Sequence, residues 1–497
     1  MATGQPRKSR GAGDRQAVVD IGSNSVRLVI YEGPRRAPLP IVNEKSLCGL
    51  GRDMADGELN LSAVADALAT LSRFRRLLEE HGDPPTTVFA TAAVREAKDG
   101  DAFIRRINDL GFEAAVIDGV EEALLAALGV VSYEPGATGV VGDMGGGSLE
   151  LVALKSGAVG DNTSLSIGPL RLMQESEGRL GAAADIAAKA LDRVKWLKPG
   201  RFDSLYSVGG AWRAIARIQM RIRNYPLHVL HHYELSRGEA IEVCDLVSRQ
   251  SRRSLDEIPG VPKRRADTLP FAALAFKAAL ERIAPKKVVL SAGGVREGLI
   301  YRALSPAERA RDPLLEGARF FADRLAPDRE MGAAVFAATA PLFPGEMAAE
   351  RRIREATCVL GDNAAYFHPD LRADQAFDTA LRAPFYGVTH AERIAIALAL
   401  FCRHDGIEPG RPDERIAGLL ANEERERAIR LGLALRFLAG VAPKASHALA
   451  GISLTFADGA VSFRAPRMVE SLMGESARRR LDALAQAFGA IPREFYF

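Results

Sequence analysis

A glycine-rich segment that occurs twice constrains this chain more than any other feature. The second copy covers 139–150 and reads G-V-V-G-D-M-G-G-G-S-L-E, and the first covers 18–25 and reads V-V-D-I-G-S-N-S. Each copy follows an apolar run with the pattern Asp-x-Gly-x-x-Ser, namely Asp20, Gly22 and Ser25 and then Asp143, Gly145 and Ser148. Such an apolar run predicts a buried strand. An internal duplication predicts an architecture of two similar halves.

The second copy has the composition of a phosphate-binding loop. Gly145, Gly146 and Gly147 stand in a row, although glycine weakens a strand. Glycine lets the backbone turn sharply and approach a ligand closely, and clustered backbone N–H groups bind anions. Asp143 and Glu150 would repel a bare phosphate, and a divalent cation between them and the phosphate resolves that conflict. The segment therefore predicts a phosphate and metal loop, with a plain glycine-rich hairpin as the alternative.

A second pair of similar segments supports the duplication. Residues 207–210, S-V-G-G, are echoed by 291–294, S-A-G-G, and each follows an apolar segment. An arginine comes soon after each, Arg213 in one case and Arg296 in the other. Two halves that each carry a strand–turn loop predict a phosphate held in a cleft between two lobes.

Three further positions are candidates for ligand chemistry. Arg27 directly follows the first loop, and Arg95 follows a predicted strand at 87–91; open α/β sheets bind ligands at the carboxyl ends of their strands. Glu121 and Glu122 begin a predicted helix, where acidic residues suit the positive helix terminus. One of them could instead be a general base. Successive helical residues point about 100° apart, so only one can face a cleft.

Composition sets the broad class of protein. Among the 497 residues, 47% are hydrophobic and 26% charged, which is typical of a globular chain. The net charge of +3 is too small to argue for a nucleic-acid partner, and no apolar run approaches the roughly 18 residues of a membrane span. The four cysteines are far apart without a C-x-x-C, which favours a reducing cytoplasm. We expect a cytoplasmic protein that binds neither nucleic acid nor membrane.

Alternation of apolar strands and helical patterns predicts α/β lobes with crossover helices. We expect a disordered tail at 1–15, the first lobe at 16–135 and the second lobe at 136–308. Residues 309–497 are rich in alanine, leucine and arginine and lack glycine loops, which indicates a mainly helical domain. Helical spacing runs through four stretches of it, 314–340, 347–367, 391–403 and 411–440. Near its end, 452–464 alternates like a hairpin with Asp458-Gly459 as the turn.

Together these motifs resemble the exopolyphosphatase and guanosine pentaphosphate phosphohydrolase (Ppx/GppA) family over roughly 16–305. The resemblance is carried by V-D-I-G-S-N-S (19–25), A-T-A-A-V-R-E-A (90–97), G-V-E-E-A (119–123), D-M-G-G-G-S-L-E (143–150) and G-G-V-R-E-G (293–298). It implies the two-lobed ATPase fold of actin and sugar kinases, followed by an all-α, HD-like C-terminal domain. The pair His404-Asp405 is similar to the metal pair of HD phosphohydrolases, and 360–362 is where a second such pair would be lost. The resemblance therefore implies a structural or substrate-channel role for this domain, not a second active site.

The resemblance also implies roles for particular residues. The first glutamate of the G-V-E-E-A motif, Glu121, would be the catalytic base, and Asp143 and Glu150 would bind Mg²⁺, with a monovalent cation such as K⁺ as a further candidate. The residues expected to bind phosphate are Gly22, Ser23, Asn24, Ser25, Arg27, Arg95, Gly145, Gly146, Gly147, Ser148, Gly209, Gly210 and Arg296.

Three functions remain open at the level of sequence. The first is processive hydrolysis of the terminal phosphoanhydride of inorganic polyphosphate by a cytoplasmic homodimer. The second is removal of the 5′ phosphate of guanosine pentaphosphate. The third is phosphotransfer by a kinase of the same superfold. A long basic channel would favour the first, and a guanine pocket the second.

Overall fold

The computed structural model describes residues 15–497 except 53, 55, 260–262 and 408–409. It divides into two compact units, one ending at Arg311 and one running from Asp312 to Phe497. Most of the predicted disordered tail, 1–14, lies outside the described residues, and Arg15 pairs with Glu32 at 3.2 Å. No helix in the described part of the chain is long and apolar enough to cross a membrane.

The first sheet of the N-terminal unit has the strand order β3-β2-β1-β4-β5. Its strands are β1 Gln16–Ile21, β2 Val26–Glu32, β3 Leu39–Ser46, β4 Thr86–Ala90 and β5 Ala114–Val116, and its helices are α1 Leu61–Glu80, α2 Ala92–Glu96 and α3 Gly100–Asn108. Valine and isoleucine recur in β1 and β2, and both faces of these strands are buried, as in strands covered on both sides.

Helix α4 (Gly119–Tyr133) leads into the second sheet, whose order is β10-β11-β9-β6-β7-β8. Its strands are β6 Gly139–Met144, β7 Leu149–Lys155, β8 Ala158–Leu165, β9 Ser204–Val208, β10 Glu234–Ser236 and β11 Lys287–Leu290. Its helices are α5 Pro169–Glu175, α6 Leu180–Asp192, α7 Gly210–Ile222, α8 Arg237–Ser248, α9 Arg252–Asp256, α10 Leu269–Ile283, α11 Val295–Arg302 and α12 Pro306–Arg309.

The two sheets repeat one topology. In the first, β1 pairs antiparallel with β2 and β2 with β3, while β1 pairs parallel with β4 and β4 with β5. In the second, β6, β7, β8, β9 and β11 take the same places with the same directions, and β10 adds an antiparallel edge. The duplication read from the sequence is therefore a duplication of the fold, and the predicted two-lobed α/β architecture is confirmed.

Helices α4 and α11 lie between the two sheets. Leu125 of α4 and Ile300 of α11 pack with Val18 of the first sheet, and Ala127 of α4 packs with Val141 of the second. The two helices cross closely through glycine, because a Cβ added at Gly298 would overlap the backbone of Leu125. This pair of helices fixes the first residues of α4 relative to both sheets.

The C-terminal unit is mainly helical, as predicted. Its helices are α13 Pro313–Leu325, α14 Met331–Thr339, α15 Ala348–Val359, α16 Arg372–Arg382, α17 His390–Asp405, α18 Glu414–Ala417, α19 Asn422–Val441 and α20 Glu475–Ala487. The stretch 314–340 is two helices rather than one, because Ala326 precedes a proline and is extended, which proline favours. The predicted stretch 411–440 is likewise divided into α18 and α19.

The same unit carries a small sheet of β12 Ser453–Ala457, β13 Ala460–Ala465 and β14 Ile491–Tyr496, with β13 in the middle. Strands β12 and β13 form the predicted hairpin. Its turn is Asp458-Gly459, and both residues have positive φ, as two-residue hairpin turns of this kind require.

Candidate active site

The two glycine loops adopt the same turn. The Gly22 N–H donates to the Ser25 carbonyl at 3.0 Å, and the Gly145 N–H donates to the Ser148 carbonyl at 3.0 Å. Each loop therefore closes on itself across three residues at the end of β1 or β6. The local sequence alone determines this geometry, which is why it can be recognised from the motif.

The carbonyl groups of the first loop are already engaged. The Ser23 carbonyl accepts from the Gly51 N–H at 2.8 Å, and the Asn24 carbonyl accepts from the Gly49 N–H at 3.3 Å. Within the described residues, the N–H groups of Ser23 and Asn24 donate no backbone hydrogen bond. The first loop is thus held by its acceptors and keeps its donors for a ligand.

The second loop is held in the same way. The carbonyls of Gly146 and Gly147 accept from the N–H groups of Leu170 at 2.9 Å and Gly168 at 3.1 Å. Their own N–H groups donate no backbone hydrogen bond to the part of the chain that the structure describes. Successive backbone donors of this kind form an anion-binding concavity.

The two loops face each other. A Cβ added at Gly146 would lie 3.3 Å from the Ser23 Cβ and 3.8 Å from the Asn24 Cβ, and one at Gly147 would lie 3.7 Å from the Ser23 Oγ. The loops are about 120 residues apart in sequence, so only the packing of the two lobes brings them together. The space between them is a cleft within the N-terminal unit.

Most of the residues predicted to bind phosphate line this cleft: Gly22, Ser23, Asn24, Ser25, Arg27, Gly145, Gly146, Gly147, Ser148, Gly209, Gly210 and Arg296. Asp143 lines it as well. Of the other predicted site residues, Arg95, Glu121 and Glu150 are not among its lining side chains. The cleft also contains Asp20, Lys45, Glu122, Arg213 and Arg265, which were not among the predicted site residues.

Glu121 is not among the side chains that line the cleft, and its role as the base stays a prediction. Its Oε1 accepts from the Arg302 Nη1 at 2.9 Å, and both side chains are more than a third exposed. The next residue, Glu122, is 8% exposed and lines the cleft. Asp118 fixes this arrangement, because its side chain accepts from the Glu121 N–H at 2.7 Å and caps α4. With about 100° between successive helical residues, only the second glutamate points inward.

Glu122 has the electrostatics of a poised acid–base group. Burial raises its pKa well above the usual value, and the neighbouring carboxylates of Glu150 and Asp143 raise it further, while Arg95 opposes them. The Arg95 Nη1 lies 3.4 Å from the Glu122 Oε2 and also donates to the Ile117 carbonyl at 2.9 Å. Arg95 therefore contacts Glu122 rather than lining the cleft, and it positions that carboxylate.

Asp143, which is half-buried, and Glu150, which is buried, form a pair of neighbouring carboxylates. They are direct partners across β6 and β7, which places their side chains on the same face of the sheet. Burial raises the pKa of Asp143 to about 6 and that of Glu150 to about 7. The negative charge of Asp143 contributes to the raised pKa of Glu150. The Glu150 Oε1 accepts from the Ser164 Oγ at 2.9 Å, whereas its buried Oε2 has no hydrogen-bond partner among the described residues. Such a pair would be stabilised by a bound cation.

Cationic side chains are concentrated in the cleft. Burial lowers the pKa of Lys45 to about 8, and the charges of Arg265, Arg27 and Arg213 add to the shift. Burial likewise lowers the pKa of Arg27 and of Arg213 to about 10, and the positive charge of Arg296 contributes to both shifts. These groups lower one another's pKa because they are close together and incompletely neutralised. A bound anion would remove that repulsion.

One of the cations is paired across the lobes. The Arg296 Nη1 donates to the Asp20 Oδ2 at 2.7 Å. Although burial by itself lowers the pKa of Arg296, the carboxylates of Glu297 and Asp20 raise it above its ordinary value. Asp20 was visible in the sequence as the counterpart of Asp143, whereas Lys45 and Arg265 have no local signal.

Glycine at 209 and 210 is required by the contacts behind the cleft. Gly209 has a φ of 109°, and a Cβ there would lie 2.6 Å from the Met144 carbonyl. A Cβ at Gly210 would overlap the guanidinium of Arg265. The pair therefore allows β9 to meet the second loop and lets Arg265 reach the cleft.

Two lobes of duplicated topology with a glycine loop in each define a phosphoryl-handling site in a two-lobed, actin-like fold. A family model described as the Ppx/GppA phosphatase family matches residues 29–307, and one described as exopolyphosphatase, C-terminal, matches 334–492. The chain belongs to the Ppx/GppA phosphatase family and is a hydrolase that acts on phosphoric anhydrides.

Relatives differ in how much of the chain they cover. Retrograde regulation protein 2 of Saccharomyces cerevisiae is 28% identical over 439 residues, which is 79% of this chain and 73% of the relative. Exopolyphosphatase 1 of Mycobacterium leprae is 26% identical over 58% of this chain and 89% of its own length.

Solved structures agree with the fold of the N-terminal part. An exopolyphosphatase from Cytophaga hutchinsonii has 26% identity and a TM-score of 0.54, and covers 58% of this chain and 96% of its own. A Ppx/GppA family member from Aquifex aeolicus has 26% identity and a TM-score of 0.51, and covers 58% of this chain and 97% of its own.

Proposed function

We propose that the chain is an exopolyphosphatase, which hydrolyses the terminal phosphoanhydride of inorganic polyphosphate and releases orthophosphate. The observation that carries this proposal is the convergence in one cleft of two backbone anion loops, five cationic side chains and the carboxylates of Asp20, Glu122 and Asp143. Relatives named exopolyphosphatase support the same substrate.

The two loops would hold the terminal phosphate. Both loops line one cleft, with Ser25 and Ser148 among the lining residues, and preorganised donors need no rearrangement to bind an oxyanion. The cations Arg27, Lys45 and Arg213 would neutralise the rest of the polyanion. Phosphoryl transfer requires little beyond this positioning and charge neutralisation.

Asp143, which lines the cleft, and its cross-strand partner Glu150 fit a divalent cation. Asp143 is half-buried and Glu150 is buried; both carboxyls have raised pKa values, and the Glu150 Oε2 has no hydrogen-bond partner among the described residues. The described residues include no group of three or more His, Cys, Asp or Glu side chains that could hold an ion alone. That matches Mg²⁺, which is commonly bound by one or two carboxylates together with substrate phosphates. When bound, the ion would supply neutralisation of phosphate charge.

Glu122 would orient and deprotonate the attacking water. A general base works best with a pKa near the working pH, and burial with two neighbouring carboxylates moves the pKa of Glu122 in that direction. Arg95 would hold the carboxylate in place through its contact with the Oε2. Loss of Arg95 would therefore affect catalysis through Glu122 rather than through substrate binding.

The deciding experiment compares phosphate release from long-chain polyphosphate and from guanosine pentaphosphate under identical conditions. A higher kcat/KM for polyphosphate supports the proposal. Faster release from guanosine pentaphosphate assigns the cleft to that substrate, and transfer of phosphate to a nucleotide acceptor instead of water would make the chain a phosphotransferase.

A further inference from the structure

The C-terminal unit contains a pocket with a surplus of positive charge. It is lined by five cationic side chains, Arg372, Arg403, Arg436, Lys444 and Arg480, and by two carboxylates, Asp362 and Asp405. These residues come from the segment after α15, the start of α16, the end of α17, and from α19, the residues after it, and α20. The pocket includes residues of 404–405, the segment similar to the metal pair of HD phosphohydrolases, and of 360–362, where the resemblance implies that a His-Asp pair has been lost.

Both carboxylates of the pocket are already paired. Asp362 has a side chain that is 4% exposed, and it accepts from both Arg403 and Lys444. Asp405 pairs with Arg411, which lies outside the pocket lining, at 3.3 Å. The charge of Asp405 also acts on Arg436, whose pKa it raises, so the two carboxylates offset only part of the positive charge of the pocket.

Three arginines of the pocket have no acidic partner. Within the described residues, Arg372, Arg436 and Arg480 form no ion pair. Arg372 donates its Nε to the Phe367 carbonyl at 3.0 Å, and Arg480 donates its Nη1 to the Arg436 carbonyl at 3.2 Å. Burial lowers the pKa of Arg436, and the charge of Arg480 lowers it further. The guanidinium groups are thus close enough to repel one another.

Three buried polar atoms of this pocket have no hydrogen-bond partner among the described residues: the acceptor Asp362 Oδ2 and two nitrogens. The Arg436 Nη1 and the His404 Nε2 are buried without a hydrogen bond to the described residues. The Arg403 Nη1 lies 3.5 Å from the His404 Nδ1; because a guanidinium can only donate, Nδ1 is the acceptor and Nε2 carries the hydrogen. Burial lowers the pKa of His404 to about 3, so the ring is neutral at physiological pH. Both orphaned nitrogens therefore require an acceptor.

We propose that this pocket binds a diphosphate group. The orphaned nitrogens and the guanidiniums without an acidic partner favour an oxyanion, and the planar guanidinium fork matches phosphate oxygens. The five cations exceed the two carboxylates by three charges, whereas one phosphoryl group carries only about −1.5 to −2 at pH 7. Two linked phosphates match that surplus better than one. The diphosphate could be free pyrophosphate or that of a nucleoside diphosphate.

The proposal goes beyond the function proposed above, because every residue it uses belongs to the C-terminal unit. Its test measures binding, not turnover. Pyrophosphate is titrated into the full chain by calorimetry in the presence of EDTA. Two classes of binding site are expected, one in the C-terminal pocket and one in the cleft of the N-terminal unit. Arg480→Gln should weaken pyrophosphate binding to the class in the C-terminal pocket about 10- to 100-fold, as expected for losing hydrogen bonds to a charged group.

Arg479→Gln is the matched control. It lies next to Arg480 on α20 and changes the charge identically, but its side chain is 72% exposed, and among the described residues its ion-pair partner is Glu475 on the same helix. This variant should bind pyrophosphate as the unaltered chain does. An equal loss in both variants would show a general charge effect and overturn the proposal.

A second test variant is Lys444→Asn. Lys444 has a φ of 55°, a left-handed conformation that asparagine tolerates well, so the exchange removes the charge without adding backbone strain. It should weaken the same class of pyrophosphate site and reduce the protection of 360–362 and 403–405 from hydrogen exchange that pyrophosphate confers. Unchanged binding in both Arg480→Gln and Lys444→Asn refutes the site, even if Arg480→Gln alone is destabilised.

The source of the diphosphate is decided by a parallel titration with GDP. Tighter binding of GDP than of pyrophosphate, lost in Lys444→Asn, identifies a nucleotide as the ligand. Equal or weaker binding of GDP identifies free pyrophosphate. If the chain failed to hydrolyse polyphosphate, the proposed function would fall while these binding results would stand.

Discussion

Replacing Glu122 by glutamine is expected to stop turnover, whereas the same change at the adjacent Glu121 is not. Loss of a general base costs about 10²- to 10⁴-fold in rate, and Glu122 is the glutamate that lines the cleft. Glu121→Gln removes only a partly exposed ion pair with Arg302, a type of interaction worth about 0–1 kcal/mol of stability. The two variants are isosteric with the native residues and remove one charge each from consecutive positions.

Glu122→Gln is expected to keep or raise the stability of the fold while it lowers the activity. Because burial raises the pKa of this carboxyl in the folded state, ionisation costs folding free energy, and that cost grows as pH rises from the unfolded pKa through the folded one. Glutamine is neutral at every pH and removes the cost. Arg95 keeps its hydrogen bond to the Ile117 carbonyl at 2.9 Å. We expect the Tm of Glu122→Gln to equal or exceed that of the unaltered chain at neutral pH.

The assay is the initial rate of orthophosphate release from polyphosphate at saturating Mg²⁺, with Tm and polyphosphate affinity measured on the same preparations. The reasoning is refuted if Glu122→Gln keeps more than about a tenth of the rate of the unaltered chain, because the loss of a general base is expected to lower the rate at least about 100-fold. It is also refuted if Glu121→Gln loses activity about a hundredfold with an unchanged Tm. That second result would restore Glu121 as the base.

Three further predictions concern the metal, pH and the C-terminal unit. Asp143→Ala and Glu150→Ala should each raise the Mg²⁺ concentration that gives half-maximal activity, and an unchanged value in both excludes them as ligands. In EDTA, the free energy of unfolding should fall as pH rises from the unfolded pKa values, about 4, and level off above the folded values of about 6 for Asp143 and about 7 for Glu150, which burial raises. Mg²⁺ should restore it, and a flat profile by denaturant titration between about pH 4 and pH 7 contradicts this. A fragment ending at Arg311 should still cleave short polyphosphates but release long chains between cuts, which gel analysis of partial digests shows; equal processivity would assign the C-terminal unit another task, such as dimerisation.

The sequence determined the features that depend on a few consecutive residues. Each glycine loop is closed by a hydrogen bond three residues long, from Gly22 to Ser25 or from Gly145 to Ser148, so its conformation is encoded locally. The motif therefore predicted the loops, the duplication of the lobes and the family. It also predicted the carboxylate pair of Asp143 and Glu150 correctly as neighbours, because they flank one hairpin turn.

Only the tertiary structure decided which side chains share a space. Glu121 and Glu122 have the same local context, and the direction of each depends on how α4 packs between the two sheets. Lys45 and Arg265 are far apart in sequence and carry no motif. Both lie in one cleft, where the charge of Arg265 is the largest cause, after burial, of the lowered pKa of Lys45. Short segments of sequence determine local hydrogen bonds. The convergence of charged side chains depends on the packing of whole lobes, so it cannot be predicted from a pattern of neighbouring residues.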